Sequence, residues 1–223
     1  MALGINFSAG SGGGDILPYC KYDARAGRLS RIDYMGGENT AVDISKTFKA
    51  VMDLENIEIG WLNFSSGGAP DMAVSKFGTP MPAQPTPEHK QGVRLLMKLG
   101  KDCGGDVREL SSSAKAFLRG LDDLHSQYLE GVKANPGKLP VVSLKDTVPV
   151  TTGEGARKST NYVPVWELVS WVSRPADLQY QPKARAVAAA PSTASFGGPP
   201  STGSTQMAPP SAGTAQDSED DFG

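Results

Sequence analysis

Residues 162–172 read Tyr-Val-Pro-Val-Trp-Glu-Leu-Val-Ser-Trp-Val. The run is rich in β-branched and aromatic residues, which favour extended backbone. It is apolar on both of the faces that an alternating strand presents. The run therefore predicts a strand that is central in its sheet or buried on both sides. The rest of the chain has to supply that sheet's partners and a layer to cover it.

Several shorter segments read as those partners. Ile16 to Tyr22 and Leu29 to Tyr34 flank Asp23-Ala24-Arg25-Ala26-Gly27-Arg28, which holds the Asp and Gly of a hairpin loop. Thr40 to Ile44 and Phe48 to Phe64 continue as strands, the second broken near Asp53–Asn56. Ile57-Glu58-Ile59 alternates as a half-buried strand does. Residues 65–87 carry Gly67, Gly68 and five prolines, and predict a long loop with a short strand at Met72 to Phe77. Val93 to Leu99 reads either as a helix or, as Gly92 and the Gly100–Gly105 break favour, as a strand that forms a second hairpin with Val107 to Leu110. Leu139 to Leu144 and Val148 to Thr151 precede the final run.

One segment has the other period. Phe117, Leu121, Leu124, Tyr128 and Val132 recur at spacings of four, three, four and four, which places them on one face of a helix over 112–132. Ser112 or Ser113 is positioned to cap it, and Asn135-Pro136-Gly137 stops it. The prediction is a mainly β domain with one prominent α-helix.

The composition changes near residue 181. Ala, Pro, Ser, Gly and Thr dominate through Ala215, with Lys183 and Arg185 the only bases. Such a segment buries too little apolar surface to offset chain entropy. The expected organisation is a flexible leader over 1–14, a domain over 15–180, a disordered linker over 181–216 and an acidic tip over 217–223. The tip holds Asp217, Glu219, Asp220, Asp221 and Phe222. The chain of 223 residues has 22 bases and 24 acids, so without the tip it carries 22 bases against 20 acids. Net charge alone therefore argues neither for nor against a polyanionic partner.

The N-terminus has no basic segment followed by an apolar run, and no stretch approaches the length of a membrane span. Cys20 and Cys103 read as two free thiols, with a single Cys20–Cys103 bridge as the alternative. Together these predict a cytoplasmic protein with no membrane partner.

Signals for catalysis are weak. His89 and His125 have no Cys or acidic partner at metal-ligand spacing, and read as loop and helix-surface residues. Gly153-Glu154-Gly155-Ala156-Arg157-Lys158-Ser159-Thr160 lacks the Gly immediately before Lys, and a strand rather than a helix follows it, so it is not a nucleotide loop. Asp122 and Asp123 are adjacent on the helix and point about 100° apart, so they read as a solvated face. The expectation is a non-enzymatic protein without cofactor or metal.

The binding signal is stronger. Lys21, Arg25, Arg28 and Arg31 are interleaved with Tyr19, Tyr22 and Tyr34 in the first hairpin. Aromatic rings stack on bases while positive charge tracks the phosphate backbone, so this combination suits single-stranded nucleic acid. The alternative is an ordinary polar hairpin. Phe64 and Phe77 extend the candidate stacking surface together with Trp61, although Trp61 and Trp166 read first as core. Lys98, Lys101, Arg157 and Lys158 are candidate phosphate contacts. The acidic tip on its long tether carries charge like that of phosphate. It can visit a basic groove on its own domain or dock on other proteins.

Taken together, the β domain with an inserted helix and the tail ending Asp220-Asp221-Phe222 resembles phage and prophage single-stranded-DNA-binding proteins of the oligonucleotide-binding-barrel (OB-fold) type. Leu54-Glu55-Asn56-Ile57-Glu58-Ile59-Gly60-Trp61 and Asn161 through Trp171 are similar to segments of those proteins. In the bacterial members the tail ends in Pro-Phe, whereas here Asp221 precedes Phe222 and Gly223 follows it. The resemblance implies an OB-fold-like five-stranded barrel that binds single-stranded DNA without sequence preference during replication or recombination. It also implies a tip that recruits replication or recombination proteins and competes for the DNA groove. Self-association is left open. The competing reading is a protein–protein interaction or phage assembly module with an acidic disordered tail.

Overall fold

A computed structural model of the chain describes residues 17–35, 37–64 and 70–183. All of them lie in one compact unit spanning Met1–Ala186. The leader over 1–14, the linker from 184 onward and the tip residues Asp217, Glu219, Asp220, Asp221 and Phe222 lie outside the described residues.

Ten strands form one sheet: β1 (Tyr19–Asp23), β2 (Arg28–Met35), β3 (Glu38–Asp43), β4 (Lys49–Met52), β5 (Glu58–Asn63), β6 (Asp71–Lys76), β7 (Lys90–Leu99), β8 (Val107–Ser112), β9 (Lys138–Thr152) and β10 (Ser159–Ser173). Among the described residues one α-helix, α1 (Lys115–Val132), lies between β8 and β9, and the ten strands are those just given. The domain is mainly β with one helix, as the two periodicities require.

The strand path is β10-β9-β4-β7-β8-β1-β2-β3, and β5 and β6 branch from it at β7. Neighbours are antiparallel except β1 and β8, which run parallel. The branch arises because β7 has ten residues and its two neighbours on one edge are short. Its first half pairs with β5, from Leu62 opposite Lys90 to Glu58 opposite Arg94. Its second half pairs with β4, from Met52 opposite Met97 to Ala50 opposite Leu99. Between β4 and β5 the chain makes a 3-10 turn over Leu54–Asn56, at the predicted break.

The sheet curls. In a flat sheet, the five steps from β10 to β1 would separate those strands by about 24 Å. Instead the Tyr162 N–H of β10 donates to the Ala24 carbonyl after β1 at 2.7 Å. The Tyr22 hydroxyl donates to the Tyr162 carbonyl at 2.9 Å. The β1–β2 turn that makes this contact is built by Asp23, whose Oδ1 accepts from the Arg25 and Ala26 N–H groups. Gly27 follows at φ +65°, and a Cβ there would stand 3.0 Å from Thr147 Oγ1 and the Tyr162 ring stem.

Helix α1 fills the hollow of the curl. Phe117, Leu121, Leu124 and Tyr128 are buried against Cys20, Tyr22, Leu29, Leu95, Met97, Leu110 and Val142. Ring contacts tie the layers together: Phe117 lies 5.7 Å from Tyr22 and 6.2 Å from Trp166 between centroids. Gly120 permits β10 to cross closely, because a Cβ there would collide with the Pro164 carbonyl. The helix starts later than its sequence suggests. Its N-cap is Ala114, without a side-chain cap, because Ser112 belongs to β8 and its Oγ accepts from the Ala114 N–H instead.

The run that predicted a central or doubly buried strand is β10, at the end of the path with β9 as its only ladder partner. One of its faces is met by α1 crossing over it, with Gly120 against Pro164 and Gly131 against Trp171, while Val169 is exposed. Trp166 is buried as expected, whereas Trp61 is half-buried, its Nε1 donating to the Pro82 carbonyl at 2.9 Å. His89 lies in the loop before β7, as expected, and is buried. Its ring nitrogens face Thr86 Oγ1 at 2.9 Å and Asp71 at 3.3 Å. The expected free thiols are both buried and unbridged, and burial pushes the Cys20 thiol up to about 12. Among the described residues no helix is long and apolar enough to cross a membrane.

Candidate nucleic-acid interface

Side chains of residues paired across neighbouring strands point to the same face of a sheet, and successive residues alternate between faces. The register therefore divides the residues of the first hairpin. Tyr19 stands opposite Ile32, Lys21 opposite Ser30, and Asp23 opposite Arg28. Ile32 in turn stands opposite Ala41, Tyr34 opposite Asn39, and Ser30 opposite Asp43. Tyr19, Lys21, Arg28, Ile32 and Tyr34 thus share one face, directed away from α1. Cys20, Tyr22 and Leu29 occupy the other face, in the core.

Two predicted site residues fall on the helix side as a result. Tyr22, expected as a stacking ring, is 5% exposed and packs on Phe117, so it presents no surface to a ligand. Arg31 pairs with Cys20 in the register and sits 3.0 Å from Asp33. Asp33 also accepts from Arg108, which meets Asp106 as well. Arg31 is thereby part of a cluster that satisfies charges at the sheet's helix side.

The face away from α1 is open over β1, β2 and β3. Tyr34 is 73% exposed and Tyr19 36%. They are diagonal neighbours across the β1–β2 ladder, so their rings lie about 7–8 Å apart at the stem. Lys21 is exposed and has no ion-pair partner among the described residues. Arg28 meets Asp43 at 2.8 Å with both side chains largely in solvent. Asp43 is itself held by Ser45, whose Oγ and N–H both donate to it, and these bonds keep its carboxyl below the usual range. Ile32, half-buried, and Ala41, exposed, lie beside the tyrosines on the same face. Sequence reasoning passed over them, although Ile32 lies two residues from Tyr34 and the strand's period places both on one face.

Farther across the same face, Lys98 of β7 stands opposite Val107 of β8. There the face is covered. Residues 174–183 cross it, with Leu178 fully buried in an apolar patch with Leu96 and Leu139, against which Leu17, Val51 and Val107 also pack. Arg94 is buried beneath this crossing between Glu58 and Glu109, and also donates to the Gln181 carbonyl at 2.9 Å. Tyr180 donates its hydroxyl to Glu58 at 3.0 Å, and burial with that carboxylate pushes the phenol up to about 12. Residues 181–183, read as the start of the linker, are thus bonded to the domain.

The remaining predicted residues are dispersed. Arg25 is exposed in the β1–β2 turn. Lys101 is exposed in the turn after β7. Arg157 and Lys158 are exposed at the tip of the long β9–β10 hairpin. Phe64 is exposed at the end of β5. Phe77 is exposed on the helix side, edge-on to His125 at 5.1 Å. Partial burial there pushes the His125 imidazole below its ordinary value. Asp122 and Asp123 are exposed, as expected. Among the described residues no group of three or more His, Cys, Asp or Glu side chains is placed to hold a metal ion.

What the open face offers chemically is two accessible aromatic rings, the apolar side chains of Ile32 and Ala41, the cations Lys21 and Arg28, and the polar or acidic side chains of Asp23, Ser30, Asn39 and Asp43. Comparison with protein-family models, with curated proteins and with solved structures gives no match to this chain.

Proposed function

We propose that the open face of β1, β2 and β3 binds single-stranded DNA without sequence preference. The observation that supports this most is the joint exposure of Tyr19 and Tyr34 on one uncovered sheet face that also carries Lys21. Every base has a π-face, so exposed rings bind bases regardless of sequence, and each stacked base contributes about 1–3 kcal/mol. Lys21 supplies charge for the phosphates, with Arg28 and Lys98 at the margins. In this reading the neighbouring strands β7, β8, β1, β2 and β3 are the counterpart of an oligonucleotide-binding barrel, and β4–β6, β9 and β10 are additions to it. The protein is a binding protein, not an enzyme. It protects exposed strands in replication or recombination, and its acidic tip recruits partner proteins and competes for the DNA face.

The division of the hairpin's residues between two faces provides the test. A side chain that neutralises one phosphate of a single strand adds about 0.7 to the slope of log affinity against log salt. Lys21→Ala is expected to flatten the slope by about that amount. Arg31→Ala is expected to leave the slope unchanged and to lower the unfolding midpoint, because it removes a charge from the Asp33–Arg108 cluster. A slope that flattens with Arg31→Ala and not with Lys21→Ala would move the strand to a different surface.

A further inference from the structure

The crossing segment 174–183 is held to the sheet by contacts of two kinds. Arg174 is bidentate to the buried Asp53, at 2.7 and 2.9 Å, and also reaches Glu55 at 2.9 Å. Leu178 is fully buried, and Tyr180 and Gln181 meet the buried Glu58 and Arg94. These are internal contacts that close off polar groups or apolar surface. Asp177 is different. Its carboxylate is about half exposed, with a side-chain exposure of 52%, and it forms an ion pair with Lys98. Among the described residues it meets no other side-chain donor. Leu178 anchors the segment beside it, so the fold does not depend on the pair.

The place of Lys98 gives the pair a consequence. Lys98 stands on the same face as Tyr19, two strand spacings away across β8 and offset by two residues along the strands, or about 12 Å. That is within reach of the phosphates of a strand whose bases stack on Tyr19 and Tyr34. Lys98 is therefore a partly exposed cation where residues 174–183 cross the face, two strands from Tyr19, and it already holds a carboxylate from its own chain.

We infer that Asp177 is a built-in counterion that competes with a strand phosphate for Lys98, so that DNA entering the face displaces it. The inference rests on the proposed binding face and names its regulation by the segment that borders it. On binding, the Lys98 ammonium exchanges one anionic oxygen for another, and Asp177 turns to solvent with no change at Leu178. The exchange lowers affinity by what the exposed pair is worth, up to about fivefold. It also hides one phosphate contact from the salt dependence, because Lys98 is already neutralised by its own chain.

The test compares full-length wild type, Asp177→Asn, Lys98→Ala and the double variant, each titrated with a fluorescent thymidine oligonucleotide over a range of salt. Asp177→Asn is expected to bind up to about fivefold more tightly at low salt and to steepen the salt slope by about 0.7. Lys98→Ala is expected to abolish both effects when the two changes are combined. Unfolding midpoints of the variants should lie close to that of wild type, because Leu178 and Arg174 retain the segment. Salt-sensitive wild-type binding with an unchanged Asp177→Asn titration would overturn the counterion role and leave the binding face standing. Gains in Asp177→Asn that persist on Lys98→Ala would also overturn it, since they would reflect net charge alone. Absence of wild-type binding at low salt would overturn the face and the counterion together.

Discussion

Replacing Tyr19 and Tyr34 together by alanine is expected to weaken binding of a thymidine oligonucleotide by at least about 30-fold, as the removal of two stacks of about 1 kcal/mol or more each requires. The salt slope should stay the same, because neither ring neutralises a phosphate. Both residues are exposed on one face and carry no hydrogen bond on which the fold depends, so the unfolding midpoint should move little. Tyr22→Phe is the control. That ring is in the core, and its hydroxyl bonds the Tyr162 carbonyl where the curled sheet meets itself. Removing the hydroxyl is expected to cost about 1 kcal/mol of stability and to leave DNA affinity unaltered. A Tyr22→Phe variant with weakened affinity, beside a double alanine variant with wild-type affinity, would place the strand on the helix side.

The second large effect concerns the fold. Phe117→Ala is expected to destabilise the domain by about 3–5 kcal/mol, a large part of the roughly 5–15 kcal/mol typical of a domain. Phe117 is fully buried and is the ring between Tyr22 of β1 and Trp166 of β10. Removing it leaves a cavity where the helix packs between Tyr22 and Trp166, on the two limbs of the curl. Urea unfolding of the full chain, followed by tryptophan fluorescence, measures the change. A destabilisation below about 1 kcal/mol would mean that α1 is not what holds the curl.

Much of the secondary structure was legible in the sequence because local rules set it. Phe117, Leu121, Leu124 and Tyr128 announce the helix face through spacing alone, and all four are buried. The hairpin through Asp23 and Gly27 forms where those residues predict, because Asp23 accepts from the turn's own N–H groups. Gly100–Gly105 separates β7 from β8 as expected. The arrangement of strands was not legible. β10 read as covered on both faces, but α1 covers only the face of Pro164, Trp166 and Trp171, and Val169 is exposed. The pairing of one long strand, β7, with two short ones on a single edge leaves no local trace.

The candidate site was readable in composition and not in geometry. Tyr19, Tyr22 and Tyr34 are equivalent as letters, and only strand parity separates Tyr22 from the other two. The same parity removes Arg31 from the open face and adds Ile32. The ion pair of Lys98 with Asp177 joins residues 79 positions apart, and no spacing rule connects them. Nor does the composition of residues 174–183 reveal that they lie across the sheet, since that depends on Arg94 and Glu58 being buried beneath them.

The most direct test of the open face as a single-strand site is a titration of the full-length wild-type protein with fluorescent thymidine and duplex oligonucleotides across a range of salt. Binding to the single strand is expected, with preference over the duplex. Its slope of log affinity against log salt should be shallow, no steeper than about −1.4, because Lys21 and Arg28 each contribute at most about 0.7 and Lys98 is already neutralised by Asp177. No binding to the single strand at low salt would contradict the assignment, as would a steep slope near about −5 with equal affinity for duplex, which would require a basic surface elsewhere on the chain.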